Sequence, residues 1–505
     1  MSVNPLIWAN YKLTGGRRSH VLTVVVYAGL IAVAVGLSYQ AVKPAEYRWV
    51  TSVWLGLVTA AQALLAFLLV PMAIRRAVMR DFQSGMIESH RLAPISNGRI
   101  VLGYLAGPPL QAAWLLVVGL AAGTCLVTAL SVGGSWREPI AWWAFHGYLL
   151  VVTLLVAALV LLTALATGGK ASFLAIAFVS AIFGGWLAVV FVPGLALLSG
   201  VTLVAALPEP VVRGATFLAP EEAAAVLAGI LGQLALAVLF IKAACRKVRA
   251  PHRPMFDLPL GLVLLVVWAG ALIVGVALPG AFEWIYEDWG DIGIAQLVAS
   301  TAAFMVVALF PLLAAVSERV RRDRARILSG AELRGGCALT VLMPCLLGAA
   351  TVATLLLMAS FASHTRIPGL VWVQRAWLPE WPELARLVAL LVACGLAFWI
   401  NFNIFYQFVA RGAKVLLVAV LSLVLLQALP LIIDGVVLTV LEELNRAPNY
   451  VDLYTAGFSP IGTVLLCVSA GGNPWPGLAG QVVLGGLAWL VGGRARRQLV
   501  AARGG

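Results

Sequence analysis

The chain has 505 residues, of which 62% are apolar and only 11% are charged, and its mean hydropathy is +1.00. Because about a quarter of the residues in a soluble globular protein are charged, this composition excludes a soluble enzyme and predicts an all-α polytopic membrane protein. The net charge of +13 fits a basic inner surface that faces anionic headgroups of the lipid bilayer, so we expect no nucleic-acid partner.

Twelve apolar runs are long enough to cross a bilayer, which takes about 20 helical residues. Charged or Pro/Gly-rich segments separate them, and two of the runs are so long that they must tilt or break. The predicted spans lie near residues 21–42, 52–74, 101–132, 142–167, 171–206, 223–244, 258–279, 293–316, 337–362, 384–408, 412–442 and 477–493.

The distribution of Lys and Arg predicts the orientation, since positive charges are retained on the cytoplasmic side. With the N-terminus inside, 26 of the 34 basic residues fall in inner segments and 8 in outer ones. Acidic residues favour the outer side, as in the segment 283–291. We therefore expect both termini to be cytoplasmic, in a multi-pass protein of the cytoplasmic membrane of a prokaryote.

Weak similarities recur at offsets of about 240 to 250 residues. The charged segment after the second predicted span returns as SERVRRDRARILSGAELRGG at 317–336, and GQLALAVLF at 232–240 returns as GQVVLGGLAW at 480–489. These matches keep their order, which predicts two tandem six-span units of the same orientation over 1–250 and 251–505.

The segment 77–100 interrupts the apolar sequence with several charges. Read as one helix, 77–92 places Val78, Phe82 and Met86 on one face, so it can lie on the inner surface. Pro94 is expected to end this helix and Ser96 to cap the next one. On the residues alone, a solvated inner loop is the favoured interpretation of this segment.

Polar residues at membrane depth have two interpretations, hydrogen bonds between helices or the lining of a substrate path. No Lys, Arg, Asp or Glu falls near the middle of a predicted span, which weakens the case for a transporter that couples to ions through its own carboxylates. The candidate path residues are Gln62, Gln111, Asn401, Asn403 and Gln407.

Sites for chemistry are not indicated by the sequence. The nucleotide-binding pattern GxxxxGK[ST] is absent from the chain, because Gly168-Gly169-Lys170 lacks both its first Gly and its Ser or Thr. The five histidines and six cysteines show no spacing typical of a metal or catalytic site. We expect no enzymatic activity, no metal and no cofactor bound by this chain.

The segment after the second span resembles the permease subunits of ATP-binding-cassette transporters, in the ABC-2 exporter superfamily. Those proteins commonly have an acidic residue, then Gly and Glu, then a Pro-apolar-Ser turn and an Ile-x-x-Gly that leads into the third span. The start NPLIWANYKLTGGRR also looks like the interfacial helix that precedes their first span. The matching residues here are Asp81, Gly85, Glu88, Pro94, Ile95, Ser96, Ile100 and Gly103.

The resemblance implies a transport permease, most simply an exporter, driven by separate ATPase subunits in two copies that hold ATP and Mg. The segment between spans two and three would then be a coupling element that docks onto an ATPase. The second unit departs from this pattern, because 317–336 is more basic and lacks the Pro-x-Ser turn. The implied docking residues are Arg80, Asp81, Gly85, Glu88, Arg91, Pro94 and Ser96 in the first unit and Arg322 and Asp323 in the second.

Two other classes stay open on the sequence. A twelve-span secondary transporter would have to handle its coupling ion without buried carboxylates or basic residues. A membrane enzyme or scaffold should show acids or histidines clustered near one membrane face, which the sequence does not indicate.

Overall fold

A computed structural model describes residues 4–131, 137–168, 220–251, 255–277, 293–329, 338–361, 381–411 and 473–501, together with residues 198, 433, 459, 462–463 and 466. Within these ranges the regular structure is helical, without a β-strand. The chain divides into two compact units, and the described residues up to Met255 form the first and those from Phe256 the second.

Nine α-helices make up the described part of unit 1. A π-helical turn, Leu65–Leu69, joins the third of them to the fourth. The helices are α1 Pro5–Leu13, α2 Gly16–Gln40, α3 Tyr47–Leu64, α4 Val70–Gln83, α5 Met86–Leu92, α6 Asn97–Ala106, α7 Leu110–Leu130, α8 Arg137–Thr167 and α9 Pro220–Arg249.

The helix run from α3 through α4 is longer than a bilayer requires. Its 37 residues from Tyr47 to Gln83 reach about 55 Å at 1.5 Å per residue, against a hydrocarbon core of about 30 Å. The π turn lies directly before Pro71, whose missing N–H cannot complete the α-helical pattern. The surplus length extends the charged end of α4 beyond the apolar part of the run.

The core of unit 1 forms where α3, α7 and α8 pack together. Close approach is possible because α7 carries glycines: a Cβ on Gly119 would lie 2.1 Å from the Gln62 amide nitrogen, and one on Gly123 would lie 2.0 Å from the Trp142 ring. Apolar side chains from the same helices surround these contacts. By contrast, α2 exposes a row of Val and Leu side chains, which only lipid can cover without a large free-energy cost.

Unit 2 contains five described α-helices and a π turn, Ala338–Leu342. Its longest helix has 36 residues, or about 54 Å, with Pro311 inside and a charged end after Val316. The helices are α10 Leu258–Ala277, α11 Gly293–Leu328, α12 Met343–Phe361, α13 Trp381–Ala410 and α14 Trp475–Ala501. A Phe-rich core from α11, α12 and α13 holds this unit together.

Ten helices in the described ranges are long and apolar enough to cross a membrane. Each corresponds to one of the predicted spans, so the chain is a polytopic helical membrane protein as the composition indicates. The predicted spans 171–206 and 412–442 lie outside the described residues except for residues 198 and 433, and the acidic outer segment 283–291 lies outside them entirely. Pro193 and Pro430, at which the sequence predicts breaks in these two long spans, are not among the described residues. The number twelve, the tandem repeat and the orientation therefore stay predictions.

Two details of the predicted helices are wrong. The single helix over 77–92 is broken, because α4 ends at Gln83 and Gly85 adopts a left-handed conformation with φ 72° before α5 begins. The predicted third span 101–132 is also divided, because α6 ends at Ala106 and α7 begins at Leu110 after Pro108 and Pro109. In both places the residue type accounts for the break, since Gly tolerates positive φ and Pro cannot donate an N–H.

Candidate functional site at the basic end of the first unit

Short helices gather at one end of unit 1, which we call the basic end. It consists of α1, the last turns of α4, the whole of α5, the first turns of α6 and the last turn of α9. Pro94 follows the end of α5 by two residues, and the Ser96 hydroxyl accepts a hydrogen bond from the Arg99 N–H at 3.4 Å, as the sequence predicts for a helix cap. These turns let the chain reverse within a few residues and bring the charged positions together.

Asp81 lies at the centre of the basic end. The Tyr104 hydroxyl of α6 donates to its Oδ2 at 2.7 Å, and His90 Nε2 of α5 lies 3.4 Å from the same oxygen. Arg80 Nε lies 3.5 Å from Oδ1. Since only 12% of the Asp81 side chain is exposed, this one carboxylate connects α4 to both α5 and α6.

Tyr104 is fully buried and serves Asp81 as a permanent donor. Burial, followed by the hydrogen bond to Asp81 and the charge of that carboxylate, raises the pKa of the Tyr104 phenol far above its usual range. The hydroxyl therefore keeps its proton at every physiological pH. The His90 ring meets the Tyr104 ring edge-on, with centroids 6.3 Å apart.

Arg91 attaches α5 to a distant part of the chain. Its Nε donates to the backbone carbonyl of Val248 in the last turn of α9 at 2.9 Å, although 157 residues separate the two. Its Nη1 pairs with Glu88 one turn earlier on α5. Because a charged donor to a buried carbonyl is one of the stronger hydrogen bonds in proteins, α5 is held from a second side.

The N-terminal helix α1 packs on α6. The Asn4 side chain caps α1 by accepting from Leu6 N–H at 3.0 Å and donates to the Arg99 carbonyl at 2.6 Å. A Cβ on Gly103 would lie 2.5 Å from Leu6 Cβ, so glycine is needed for the close contact. Arg80 completes the attachment by donating to Asn10 Oδ1 at 3.3 Å.

One side of α5 is exposed, whereas the other side packs against the rest of unit 1. Leu92 is 87% exposed and Met86 is 48% exposed, and the Glu88 side chain is 63% exposed. Ile87 is buried. The exposed side of α5 therefore presents two apolar side chains and one carboxylate.

The corresponding charged end in unit 2 is built differently. Arg319 Nε donates to Asp323 Oδ2 at 3.1 Å, and the Tyr406 hydroxyl of α13 donates to the same oxygen at 2.8 Å. Asp323 is 1% exposed. Arg322, with 58% of its side chain exposed, pairs with Glu318 on the surface of the same helix.

The implied docking residues therefore fall into two sets. Glu88 and Arg322 are exposed, and half of the Arg80 side chain is exposed as well. The carboxylates of Asp81 and Asp323 are buried and bind side chains of their own unit, so in this structure they position helices and do not present a surface. Gly85 allows the turn between α4 and α5.

Among the candidate path residues, Gln62 and Gln111 form hydrogen bonds between helices. The Gln62 amide nitrogen of α3 donates to the Leu116 carbonyl of α7 at 3.3 Å, and that of Gln111 donates to the Thr23 hydroxyl of α2 at 2.7 Å. Asn401 and Asn403 donate to carbonyls four residues earlier on α13, and Gln407 is half-buried on the same helix. The two interpretations of these residues, as contacts between helices and as a path, both stay open.

Sequence reasoning missed three residues of these clusters. His90 and Tyr104 contact Asp81 from the next two helices, and Tyr406 contacts Asp323 from α13. No spacing rule could have found Tyr406, since 83 residues separate it from its partner. His90 lies in the charged segment itself, so its proximity to an acid on a reversing chain was the one available signal.

Chemically, the basic end can hold a short helix rigidly and present its exposed side to a partner. Within the described ranges, no three His, Cys, Asp or Glu side chains converge as a metal site would require. Comparison of the chain with protein families, with curated proteins and with solved structures gives no match.

Proposed function

We propose that this chain is the membrane-spanning permease subunit of an ATP-binding-cassette transporter of the ABC-2 exporter type, in which separate ATPase subunits bind ATP and Mg. The observation that carries the proposal is the placement of α5: His90 Nε2 lies 3.4 Å from Asp81 Oδ2 at the end of α4, and Arg91 donates a hydrogen bond to the Val248 carbonyl of α9. The exposed side of α5 is the proposed docking surface for an ATPase, and α5 is the proposed coupling helix.

A coupling helix must transmit force and not absorb it. Movement imposed on α5 would reach α4 through Asp81, and α4 continues through the π turn into α3 across the membrane. It would also reach α9 through the Arg91 contact with the Val248 carbonyl. Because α5 contacts two different long helices, a movement of α5 would be transmitted to both of them.

In the same proposal, unit 2 is a second permease unit with weaker docking. Its charged end has no described short helix after the long one, and α11 itself carries exposed arginines. We therefore expect two ATPase copies to engage the chain unequally, with unit 1 as the principal docking site. The orientation that places both charged ends in the cytoplasm follows from the distribution of Lys and Arg.

The test uses two matched leucines. Leu92 at the end of α5 is 87% exposed and Leu328 at the end of α11 is 84% exposed, so replacing either should leave its own unit folded. The chain, affinity-tagged and purified from its native membranes, is assayed for a co-purified ATPase and for ATP hydrolysis. We expect Leu92→Glu to remove most of both signals and Leu328→Glu to leave most of both.

Charge variants give a second comparison in the same membranes. Glu88→Lys should weaken docking strongly, since a reversed charge in a desolvated contact leaves its partner unpaired, whereas Arg322→Ala should have a small effect. Expression level and thermal unfolding are the controls for folding. If Leu92→Glu and Glu88→Lys leave the ATPase bound while Leu328→Glu and Arg322→Ala release it, the principal docking site lies in unit 2. If no ATPase accompanies the wild-type chain, the proposed function is wrong.

A further inference from the structure

An ionisable side chain lies buried in the membrane part of unit 1, far from the basic end. His146 of α8 is 6% exposed and Gln62 of α3 is fully buried, and His146 Nε2 lies 2.8 Å from Gln62 Oε1. Gln62 falls near the middle of the second predicted span. An ionisable group at such depth is costly to retain and indicates a function by default.

Both ring nitrogens of His146 face oxygen atoms. Nδ1 lies 2.9 Å from the Trp142 carbonyl oxygen, and Nε2 faces the Gln62 amide oxygen. Carbonyl and amide oxygens only accept hydrogen bonds, and a neutral imidazole has a single N–H. Only the doubly protonated imidazolium can donate to both oxygens at once.

A neutral His146 can satisfy only one of these oxygens while Gln62 keeps its orientation: an N–H on Nε2 would keep the Gln62 contact and leave the Nδ1 lone pair facing the Trp142 carbonyl. With its proton on Nδ1 for the Trp142 carbonyl, the ring offers a lone pair on Nε2, and the Gln62 amide must turn over to donate its N–H there. That turn would remove the hydrogen bond from the Gln62 amide nitrogen to the Leu116 carbonyl, which is 3.3 Å long. The protonation state of the ring and the orientation of the amide are thus linked.

We propose that His146 and Gln62 form a proton-binding site within the membrane part of unit 1. One proton passes from water to Nε2, the imidazole becomes a cation, and the Gln62 oxygen accepts the new N–H. The protonated form joins α8 to α3 while Gln62 still holds the Leu116 carbonyl of α7. The ligand is a proton alone, and the site does not depend on the proposed ATPase docking.

The groups around His146 can accommodate a positive charge on its ring. The rings of Trp142 and Phe145 lie 4.3 Å and 5.1 Å from the His146 ring, centroid to centroid. Gly119 of α7 leaves room for the Gln62 amide, since a Cβ there would lie 2.1 Å from its nitrogen. Two aromatic rings and two oxygens next to the His146 ring can accommodate a cation.

The other titratable residues of the packed helices, apart from Tyr148, lie toward the helix ends. The Tyr148 hydroxyl of α8 accepts a hydrogen bond from Gln233 of α9 at 3.0 Å. Cys125, near the end of α7, is exposed. The others are Tyr47 and Arg48 on α3, Arg75, Arg76, Arg80 and Asp81 on α4, Arg137 and Glu138 on α8, and Glu221, Glu222, Lys242, Cys245, Arg246, Lys247 and Arg249 on α9.

The position of Gln62 connects the proton-binding site to the basic end. It lies three residues before the π turn that joins α3 to α4, and α4 ends at the Asp81 cluster. A proton that changes the contacts of Gln62 therefore acts on the same continuous helix run that holds α5. The run from α3 through α4 therefore contains a residue of the proton-binding site and also contacts α5 at the basic end.

The experiment titrates His146 directly. The full chain, labelled with ¹⁵N-histidine and reconstituted in lipid nanodiscs, is followed by NMR between about pH 8 and about pH 5, the range in which histidine ordinarily changes charge. His146→Phe identifies the signal by its loss. If that variant does not fold, single replacements of His20, His90, His252 and His364 identify the remaining signal.

We expect the wild-type signal to pass from the Nδ1–H tautomer to the imidazolium within that range. Gln62→Glu should move the transition to higher pH, because a carboxylate favours the cation, and Gln62→Leu should move it to lower pH. Gln111→Leu, which removes another glutamine from the same unit, should leave it unchanged. A wild-type His146 that keeps one form throughout, or a transition unaffected by Gln62→Leu, overturns the proposal.

Discussion

Both units contain a buried aspartate that accepts a hydrogen bond from a tyrosine hydroxyl, but the two aspartates join different sets of helices. In unit 1, Asp81 is shared among Tyr104, His90 and Arg80, which come from three different helices. In unit 2, Asp323 binds Arg319 of its own helix and Tyr406 of one other. The first acid positions a short helix, and the second joins two long ones.

Solvent access separates the two clusters further. Arg80, the charged partner of Asp81, has half of its side chain exposed, whereas Arg319, the partner of Asp323, is 7% exposed. A buried pair is stabilising only while both members are present, since removing one leaves an uncompensated charge. The comparison teaches that unit 1 keeps its buried acid beside an arginine that reaches water, whereas unit 2 encloses both members of the pair.

The largest effect is expected at Asp323. Asp323→Ala leaves the Arg319 guanidinium and the Tyr406 hydroxyl without their shared acceptor in a buried place, at a cost of about 3–5 kcal/mol. Thermal unfolding of the purified chain in detergent should show the loss as a lower melting temperature. Asp81→Ala, whose charged partner Arg80 has half of its side chain exposed, is the matched control, and an equal or larger loss there would contradict the comparison.

Removing one hydroxyl should give the next largest effect. Tyr406→Phe deletes a hydrogen bond to a charged group, worth about 1.5–3 kcal/mol, and leaves Asp323 with Arg319 alone. Tyr104→Phe makes the same deletion, but Asp81 keeps His90 and Arg80 nearby. Thermal unfolding of both variants should rank Tyr406→Phe as the more destabilised. The reverse order would show that Asp81 is the more dependent acid.

The attachment of α1 offers a test confined to unit 1. Gly103→Ala places a methyl group 2.5 Å from Leu6 Cβ, and such overpacking costs about 1–3 kcal/mol. Hydrogen exchange of the backbone should therefore rise in α1 while α7 and α8 stay protected. Gly98→Ala, on the same helix with open space around it, should leave exchange as it is, and equal exchange in both variants would exclude close packing of α1 on α6.

The smallest effect is expected on the surface of α11. Arg322→Ala removes an exposed pair with Glu318, which contributes about 0.2–1 kcal/mol. Its melting temperature should stay close to that of the wild type in moderate salt. A loss comparable to that of Asp323→Ala would show that Arg322 is buried against a partner in the native membrane.

The sequence predicted the breaks in this region better than the contacts. Pro94 and Ser96 fall where α5 ends and α6 begins, because a proline and a hydroxyl cap act through bonds within a few residues. The resemblance implied a docking role for Gly85, and in the structure this residue forms the left-handed turn that divides the predicted helix. Whether Gly85 continues the helix or forms a turn depends on what α5 packs against after this residue.

By itself, the sequence determined the class of protein and the place of ten helices, because an apolar run of span length has few alternatives to a membrane helix. It also placed the charged ends of α4 and α11. Only the tertiary structure decided that Asp81 and Asp323 turn inward, that Arg91 reaches the Val248 carbonyl, and that His146 faces two oxygens. Those contacts join residues distant in the chain, and their geometry depends on how the helices pack, which no local pattern records.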